Sequence, residues 1–326
     1  MLGFKRLAMV VSAAMLATSS VCAAAPYDRL YVFGDSLVDS GNAATQVPGS
    51  APASGRFTNG LNFADDVSLA LGFGPATAYL QGGTNYAVGG STVATFFANQ
   101  IPPDLGFQIT GYYEPSTLTT SPLARRAAID ANSLVLITSG GNDVRDYGFP
   151  GAPSPLDTVT ALRTDLTRLI MTDGARNIIV VGLPDVGQIP SIYGTAAQAN
   201  ATLASTGLNT QYSSIVDSFQ QQLGTSGSIR LFDLATLQTS IQDHPADYGL
   251  DPALVHSSCV ATGGLASDCA GYLYYDGIHP TAYVHGLIAQ AIVASIPDPT
   301  TWAMMIVGFG LTGATLRRRG PAAAMA

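Results

Sequence analysis

The chain has 326 residues, of which 47% are hydrophobic and 11% charged, a composition that fills a substantial core and excludes a largely disordered protein. Its formal net charge is −8, but five of its 14 basic residues lie at the two ends. Residues 25–296 alone hold 21 acidic and nine basic residues, a net charge of −12. A body this acidic repels nucleic acid and anionic lipid surfaces, so we expect neither as a partner.

The first 24 residues have the order of a secretory signal peptide. Lys5 and Arg6 precede a mostly apolar run, and small residues follow it. We expect cleavage after Ala23 or Ala24 and assign residues 1–24 to the signal peptide. The alternative is a buried N-terminal helix, which the regular basic, apolar and small order disfavours.

Short apolar runs alternate with stretches of helical periodicity along residues 25–296. The predicted strands are 30–33, 134–137, 178–181 and 229–232, with 85–88 as a further candidate. The predicted helices are 61–71, 158–171, 209–223 and 281–296. Residues 98–122 and 185–208 lack a clear period, so we expect irregular loops or broken helices there. The alternation predicts an α/β fold: one domain, a three-layer α/β/α sandwich with a mainly parallel sheet.

Two cysteines remain once the signal peptide, with Cys22, is removed. Cys259 and Cys269 are ten residues apart in a segment that contains Gly263 and Gly264. In an exported protein this spacing predicts a disulfide, and a pair of free or buried thiols is the alternative. A metal site is disfavoured because few other ligands lie nearby in the sequence.

Polar residues that fit acyl transfer follow the predicted strands. Ser36 comes directly after the first strand, and Asp276 lies three residues before His279. A serine hydroxyl is a weak nucleophile until a base takes its proton, and His279 is the candidate base. Asp276 is the candidate carboxylate that orients the imidazole and stabilises its charge.

The negative oxygen formed in such a reaction needs hydrogen-bond donors. The backbone N–H groups of Ser36 and Gly90 and the side-chain amide of Asn142 are the candidates, because each follows a predicted strand. The carboxyl ends of parallel strands meet at one edge of the sheet, so we expect these distant segments to converge there.

Four short motifs in this order resemble the blocks of the GDSL, or SGNH, hydrolase family. The blocks are Phe33–Leu37, Asn85–Gly90, Gly140–Asp143 and Asp276–Pro280. The resemblance implies a flavodoxin-like SGNH fold, Ser36 as nucleophile, Asp276 and His279 as the rest of a triad, and Ser36, Gly90 and Asn142 as oxyanion donors. It implies no cofactor and no metal. Gly90 is preferred to Gly89 because it lies five residues after Asn85.

The C-terminal residues 297–326 form a separate tail. Pro297, Asp298 and Pro299 precede an apolar stretch over 303–316, which three arginines follow. This order fits a short membrane anchor with a basic cytoplasmic end, and a buried core helix is the alternative.

The tail resembles the PEP-CTERM sorting signal of Gram-negative bacteria, with Asp298 where that family usually has Glu. The resemblance implies an exosortase-type processing enzyme as partner. It also implies export through the inner membrane, a transient C-terminal anchor, and then a cell-surface or secreted protein.

Together these features predict a monomeric, exported serine esterase or lipase that acts on acyl lipids or acylated carbohydrates. The alternatives are a polysaccharide O-acetylesterase and a surface or matrix binding protein without catalysis, while phospholipase and thioesterase activity stay open. Several tyrosines are candidates for lining a pocket or for simple packing, namely Tyr112, Tyr113, Tyr272, Tyr274 and Tyr275.

Overall fold

The computed structural model describes residues 27–96, 101–114, 128–138 and 140–296. At its centre is a parallel sheet whose strands lie in sequence order, β1 (Arg29–Gly34), β2 (Ser133–Thr138), β3 (Asn177–Val181) and β4 (Ser228–Phe232). Every residue of β2 is buried. Because successive side chains of a strand point to opposite faces, both faces of the sheet are covered. The predicted parallel sandwich is confirmed.

The further candidate strand, 85–88, is a short extended segment rather than a regular strand, because the chain turns at the glycines that follow it. It runs parallel to β1: the Tyr86 N–H donates to the Val32 carbonyl at 2.7 Å, and the Val88 N–H donates to the Gly34 carbonyl at 3.0 Å. This segment therefore extends the sheet beside β1. The spatial order then becomes that of doubly wound folds of the flavodoxin type.

Helices flank this sheet within the described ranges. They are α1 (Asn42–Gln46), α2 (Phe63–Ala70), α3 (Leu105–Phe107), α4 (Gly141–Asp146), α5 (Pro155–Met171), α6 (Gln198–Leu223), α7 (Leu234–Asp243) and α8 (Ala282–Ser295). A π-helix, Gln108–Tyr113, continues α3, and single 3₁₀ turns lie at Tyr79–Gln81, Val186–Gln188, Pro245–Tyr248 and Gly264–Ser267. Helices α2 and α8 pack on each other, and α6 packs on α4 and α5.

The prediction of irregular structure over 185–208 is wrong for its second half, because α6 begins at Gln198. Its small residues hide a helical pattern: Ala201, Ser205, Leu208 and Tyr212 are buried at spacings of four, three and four residues. Helix α7 was not predicted either. Part of 98–122 is helical, as α3 and the π-helix, and 97–100 and 115–122 lie outside the described residues.

Cys259 and Cys269 are joined by a disulfide, with their Cα atoms 5.5 Å apart. The disulfide closes the loop that carries the 3₁₀ turn Gly264–Ser267. Within the described ranges, each helix is too short or too polar to span a lipid bilayer. The predicted signal peptide and the predicted sorting tail both fall outside those ranges.

Candidate active site

The side chains of Ser36, His279 and Asp276 form one hydrogen-bonded chain, although Ser36 is 243 residues from His279. Ser36 Oγ lies 2.7 Å from His279 Nε2. The other ring nitrogen, Nδ1, lies 2.8 Å from Asp276 Oδ2. This is the nucleophile, base and orienting carboxylate geometry of serine acyl transfer.

Asp276 is held as a carboxylate by its neighbours. Its second oxygen, Oδ1, accepts the backbone N–H groups of Ile278 and His279, each at 2.8 Å. Burial raises the pKa of Asp276, but the hydrogen bonds and the charge of His279 outweigh burial, so that the pKa stays below its usual value. A negative Asp276 stabilises a protonated His279.

The nucleophile lies in a tight turn at the end of β1. Gly34 has a φ of +146°, and a Cβ placed on it would lie 2.0 Å from the Thr138 carbonyl oxygen of β2. Only glycine allows that approach. After it, Asp35 Oδ1 accepts the Leu37 N–H at 3.0 Å and braces the turn around Ser36. Burial raises the pKa of Asp35 to about 7.

Asp39 joins the Ser36 turn to the second sequence block. Its Oδ1 accepts the N–H groups of Gly41 at 2.8 Å and Asn42 at 2.7 Å. Its Oδ2 accepts the N–H groups of Ala43 at 3.0 Å and Gly89 at 2.8 Å. Asp39 is fully buried, so these four donors take the place of water around its carboxylate.

Gln108, in the π-helix, makes a second link between the same segments. Its Oε1 accepts the Gly34 N–H at 2.8 Å, and its Nε2 donates to the Gly34 carbonyl at 2.7 Å. The same Nε2 donates to Ser91 Oγ at 3.0 Å. Gln108 is fully buried and is not part of any motif found in the sequence, so sequence reasoning missed it.

Gly89 and Gly90 differ in whether their backbone N–H groups already have a hydrogen-bond acceptor. Asp39 accepts the Gly89 N–H. The N–H groups of Gly90 and Ser36, by contrast, have no acceptor within the part of the chain that the structure describes. Gly90 has a φ of +85°. The predicted choice of Gly90 is thus the one compatible with donation to a substrate oxygen.

Asn142, at the start of α4, has its amide oriented from both sides. Its Nδ2 donates to the Ser91 carbonyl at 2.8 Å, and its Oδ1 accepts from Arg145 Nη1 at 3.1 Å. One N–H of Nδ2 therefore remains for a further acceptor. Sequence reasoning missed Arg145, because a single charged residue carries no motif.

A pocket of about 470 Å³, partly open to solvent, lies over Ser36. Ser36, Asn142 and Arg145 line this catalytic pocket, with Leu183 and Val186 among its apolar residues. Gly90 is not among the lining residues; it lies next to Ser91, whose carbonyl binds Asn142. The lining is polar beside Ser36 and otherwise mostly apolar, which suits an ester with polar carbonyl and alcohol oxygens and apolar carbon groups.

The loop over 55–60 supports the histidine. The Phe57 ring lies against the His279 ring, with their centroids 5.2 Å apart. Thr58 Oγ1 donates to the Pro280 carbonyl at 2.9 Å. The loop thus fixes both the ring and the backbone that carries it.

The family model described as GDSL-like Lipase/Acylhydrolase matches residues 30–292, which include all four sequence blocks. The chain belongs to this family. It is therefore a carboxylic ester hydrolase of the serine type, and its parallel sandwich is the fold expected for an SGNH hydrolase.

The similarity to individual relatives extends over most of the chain. The phosphatidylcholine-sterol acyltransferase of Aeromonas hydrophila is 21% identical over 81% of this chain and 88% of its own length. A GDSL esterase/lipase of Arabidopsis thaliana is 26% identical over 81% of this chain and 85% of its own length. Among solved structures, the native aryl esterase of M. smegmatis matches 82% of this chain and 100% of its own, with 17% identity and a TM-score of 0.44.

Proposed function

We propose that this protein is an exported serine esterase or lipase that cleaves carboxylic esters through an acyl-enzyme on Ser36. The hydrogen-bonded chain from Ser36 through His279 to Asp276 is the observation that carries the proposal. The relatives support it as well, since those from Arabidopsis thaliana are described as esterases or lipases and that from Aeromonas hydrophila as an acyltransferase. Acyl transfer and ester hydrolysis both proceed through an acylated serine in this type of mechanism.

In the first step, His279 Nε2 takes the proton of the Ser36 hydroxyl as Oγ bonds to the ester carbonyl carbon. The bond from that carbon to the alcohol oxygen then breaks, and the imidazolium gives its proton to the leaving alcohol. In the second step, water attacks the acyl group with His279 again as base. The acid leaves, and the proton returns to Ser36 Oγ.

The charge on the carbonyl oxygen develops only as Oγ attacks. The N–H groups of Ser36 and Gly90 and the second amide hydrogen of Asn142 are the donors proposed for it. A donor that is fixed before the reaction needs no reorganisation, and each is worth about 3 kcal/mol in transition-state stabilisation.

Hydrolysis of nitrophenyl esters by the purified protein and by Ser36→Ala tests the proposal. We expect kcat to fall by about 10⁵-fold or more in the variant, while Ser214→Ala, on the exposed side of α6, retains the wild-type rate. A fluorophosphonate should add one adduct to the wild-type mass and none to Ser36→Ala. Hydrolysis that survives in Ser36→Ala would refute the role of Ser36, and a folded but inactive wild type would favour the binding-protein alternative.

The proposal includes export and processing. The order of residues in 1–24 and in 297–326 supports a cleaved signal peptide, a sorting tail handled by an exosortase, and a product at the cell surface or outside the cell. The test is the mass and N-terminal sequence of the protein recovered from a Gram-negative host with and without an exosortase. A mature chain that begins at Ala24 or Ala25 and loses its tail only in the presence of the exosortase is the expected result.

A further inference from the structure

A second pocket, lined almost wholly by apolar side chains, adjoins the catalytic pocket. This apolar pocket has a space of about 480 Å³, part of it open to solvent. The two pockets share Leu37, Pro184, Ile189 and Ile278 in their walls. Leu37 directly follows the proposed nucleophile and Ile278 directly precedes His279, so the apolar pocket begins beside the reacting atoms.

Much of the wall that the apolar pocket does not share with the catalytic pocket comes from one face of each of two helices. Leu237 and Ile241 line it from α7, and Val284 and Ile288 line it from α8. Residues four apart share one face of a helix, so the two helices present continuous apolar stripes to the pocket. Leu237 is only partly buried, whereas the other three are buried.

The polar side chains in the wall are occupied by one another and by the backbone. Gln238 Nε2 donates to the Tyr274 hydroxyl at 2.9 Å, and Gln238 Oε1 accepts the Asp185 N–H at 2.6 Å. The Tyr274 hydroxyl donates to the Gln188 carbonyl at 3.4 Å. A sugar in this pocket would lose its bonds to water without replacement, whereas a hydrocarbon chain loses none.

We infer that the apolar pocket receives the acyl chain of the ester, an unbranched chain of four or more carbons. The inference rests on the proposed role of Ser36. The acyl carbon bonds to Ser36 Oγ, and the apolar wall starts at the next residue, Leu37, so the attached chain enters the pocket directly. The polar edge of the catalytic pocket, with Asn142 and Arg145, is left for the ester oxygens.

The first test compares chain length on the two sides of the ester. For nitrophenyl acetate, butyrate and hexanoate, kcat/KM should rise about fourfold for each added methylene that is buried. For ethyl, butyl and hexyl acetate, where only the alcohol lengthens, kcat/KM should change by no more than about threefold in total. A rise in the alcohol series alone would mean that the pocket holds the alcohol, and the inference would be overturned.

The second test fills the pocket. Leu237→Trp should lower the ratio of kcat/KM for hexanoate to that for acetate by about tenfold or more, since two methylenes kept out of the pocket, at about fourfold each, reduce kcat/KM about 16-fold. Leu287→Trp is the matched control: Leu287 is partly buried on α8 and does not line the pocket, so its ratio should stay at the wild-type value. Leu237→Ala, which removes bulk instead, should move the preferred chain length upward.

The experiments distinguish a failure of the acyl-pocket inference from a failure of the proposed esterase function. A wild type that hydrolyses esters through Ser36 but prefers acetate, or whose ratio is unchanged in both Leu237 variants, overturns the acyl pocket and leaves the esterase standing. A wild type without Ser36-dependent hydrolysis of any ester overturns the proposed function and the inference with it.

Discussion

The turn that carries Ser36 and the apolar pocket beside it are held together by different forces. Around the turn, buried polar groups such as Asp39 and Gln108 are saturated by hydrogen bonds of defined direction. In the pocket, contact between apolar side chains of α7 and α8 dominates. Hydrogen bonds fix atoms to within tenths of an ångström, whereas apolar contact is non-directional.

The hydrogen-bonded turn serves catalysis, whereas the apolar pocket serves the choice of substrate. A shift of about 1 Å in a reacting group costs about 100-fold in rate, so the nucleophile needs directed bonds beneath it. An acyl chain needs only to leave water, so its pocket tolerates changes in shape. We therefore expect substitutions in the polar network to lower kcat or stability sharply, and substitutions in the pocket to change which chain is preferred.

The largest effect should come from Asp276→Asn. The amide cannot stabilise a protonated His279. Its oxygen stays with the two backbone N–H groups, so its NH₂ donates to Nδ1 and favours the tautomer whose Nε2 cannot take the Ser36 proton. We expect kcat to fall by about 10⁴-fold with little change in thermal stability. Steady-state kinetics on a nitrophenyl ester measure this, with Asp217→Asn on α6 as the control, and a loss below about tenfold would contradict the role given to Asp276.

Asp39→Asn probes the network beneath the turn. The Asn side chain has one acceptor oxygen in place of two, so that two N–H groups lose their acceptor, either those of Gly41 and Asn42 or those of Ala43 and Gly89. Buried unpaired donors cost about 1–3 kcal/mol each, and we expect a loss of about 3 kcal/mol in the free energy of unfolding. Urea denaturation measures it; a loss below about 1 kcal/mol would show that water replaces the carboxylate.

Arg145→Gln tests the orientation of the Asn142 amide. Without the Arg145 donor, the amide loses the partner of its oxygen, and kcat should fall about tenfold while KM for a neutral ester stays constant. Arg145→Lys, which keeps a cationic donor, should restore most of the rate. Arg163→Gln on the exposed side of α5 is the control, and an equal loss in kcat and stability in Arg145→Gln would mark a merely structural role.

The smallest expected effect concerns a buried carboxyl group outside both regions. Asp165 Oδ2, on α5, has no hydrogen-bond partner within the described part of the chain, and burial raises the pKa of Asp165 to about 8. The folded protein therefore binds this proton more tightly than the unfolded chain does, and stability falls as the pH rises from about 4 to about 8.

Asp165→Asn removes that dependence. We expect the variant to match the wild type at about pH 4, the lower end of that range, and to be more stable by about 1 kcal/mol or more at pH 9. Urea midpoints over this pH range measure the difference. Equal stability of the two proteins at pH 9 would mean that Asp165 gains a partner when it ionises, and Asp217→Asn should follow the wild type throughout.

Much of the fold was readable because its signals are local. The apolar runs at 30–33 and 134–137 are buried strands, and the observed strands extend them by one residue at each end. Helix α6 was only half predicted, because Ala, Ser and Thr carry weak apolar contrast even where they are buried. Helix α7 was missed altogether, although it forms a wall of the apolar pocket.

Some residues of the site could be predicted from the sequence and others could not. Ser36, Asp276 and His279 stand in motifs, so they could be named from the sequence and are brought together by the fold. Gln108 could not be named, since its role exists only once distant segments meet. Arg145 could not be named either, because a single charged residue three positions after Asn142 carries no motif. Of the five tyrosines considered for a pocket, Tyr274 alone lines either of the two described above.

The residue at the position of Gly34 indicates whether a member of this family is able to act as an esterase. Any side chain at this position would meet the Thr138 carbonyl and separate the ends of β1 and β2. A homologue with alanine there, even one with serine, aspartate and histidine in place, is expected to have lost its esterase activity. We therefore expect the identity of this one residue, which has no reactive group, to distinguish active enzymes from homologues that keep only the fold, and a directed-evolution library at this turn should leave Gly34 unchanged.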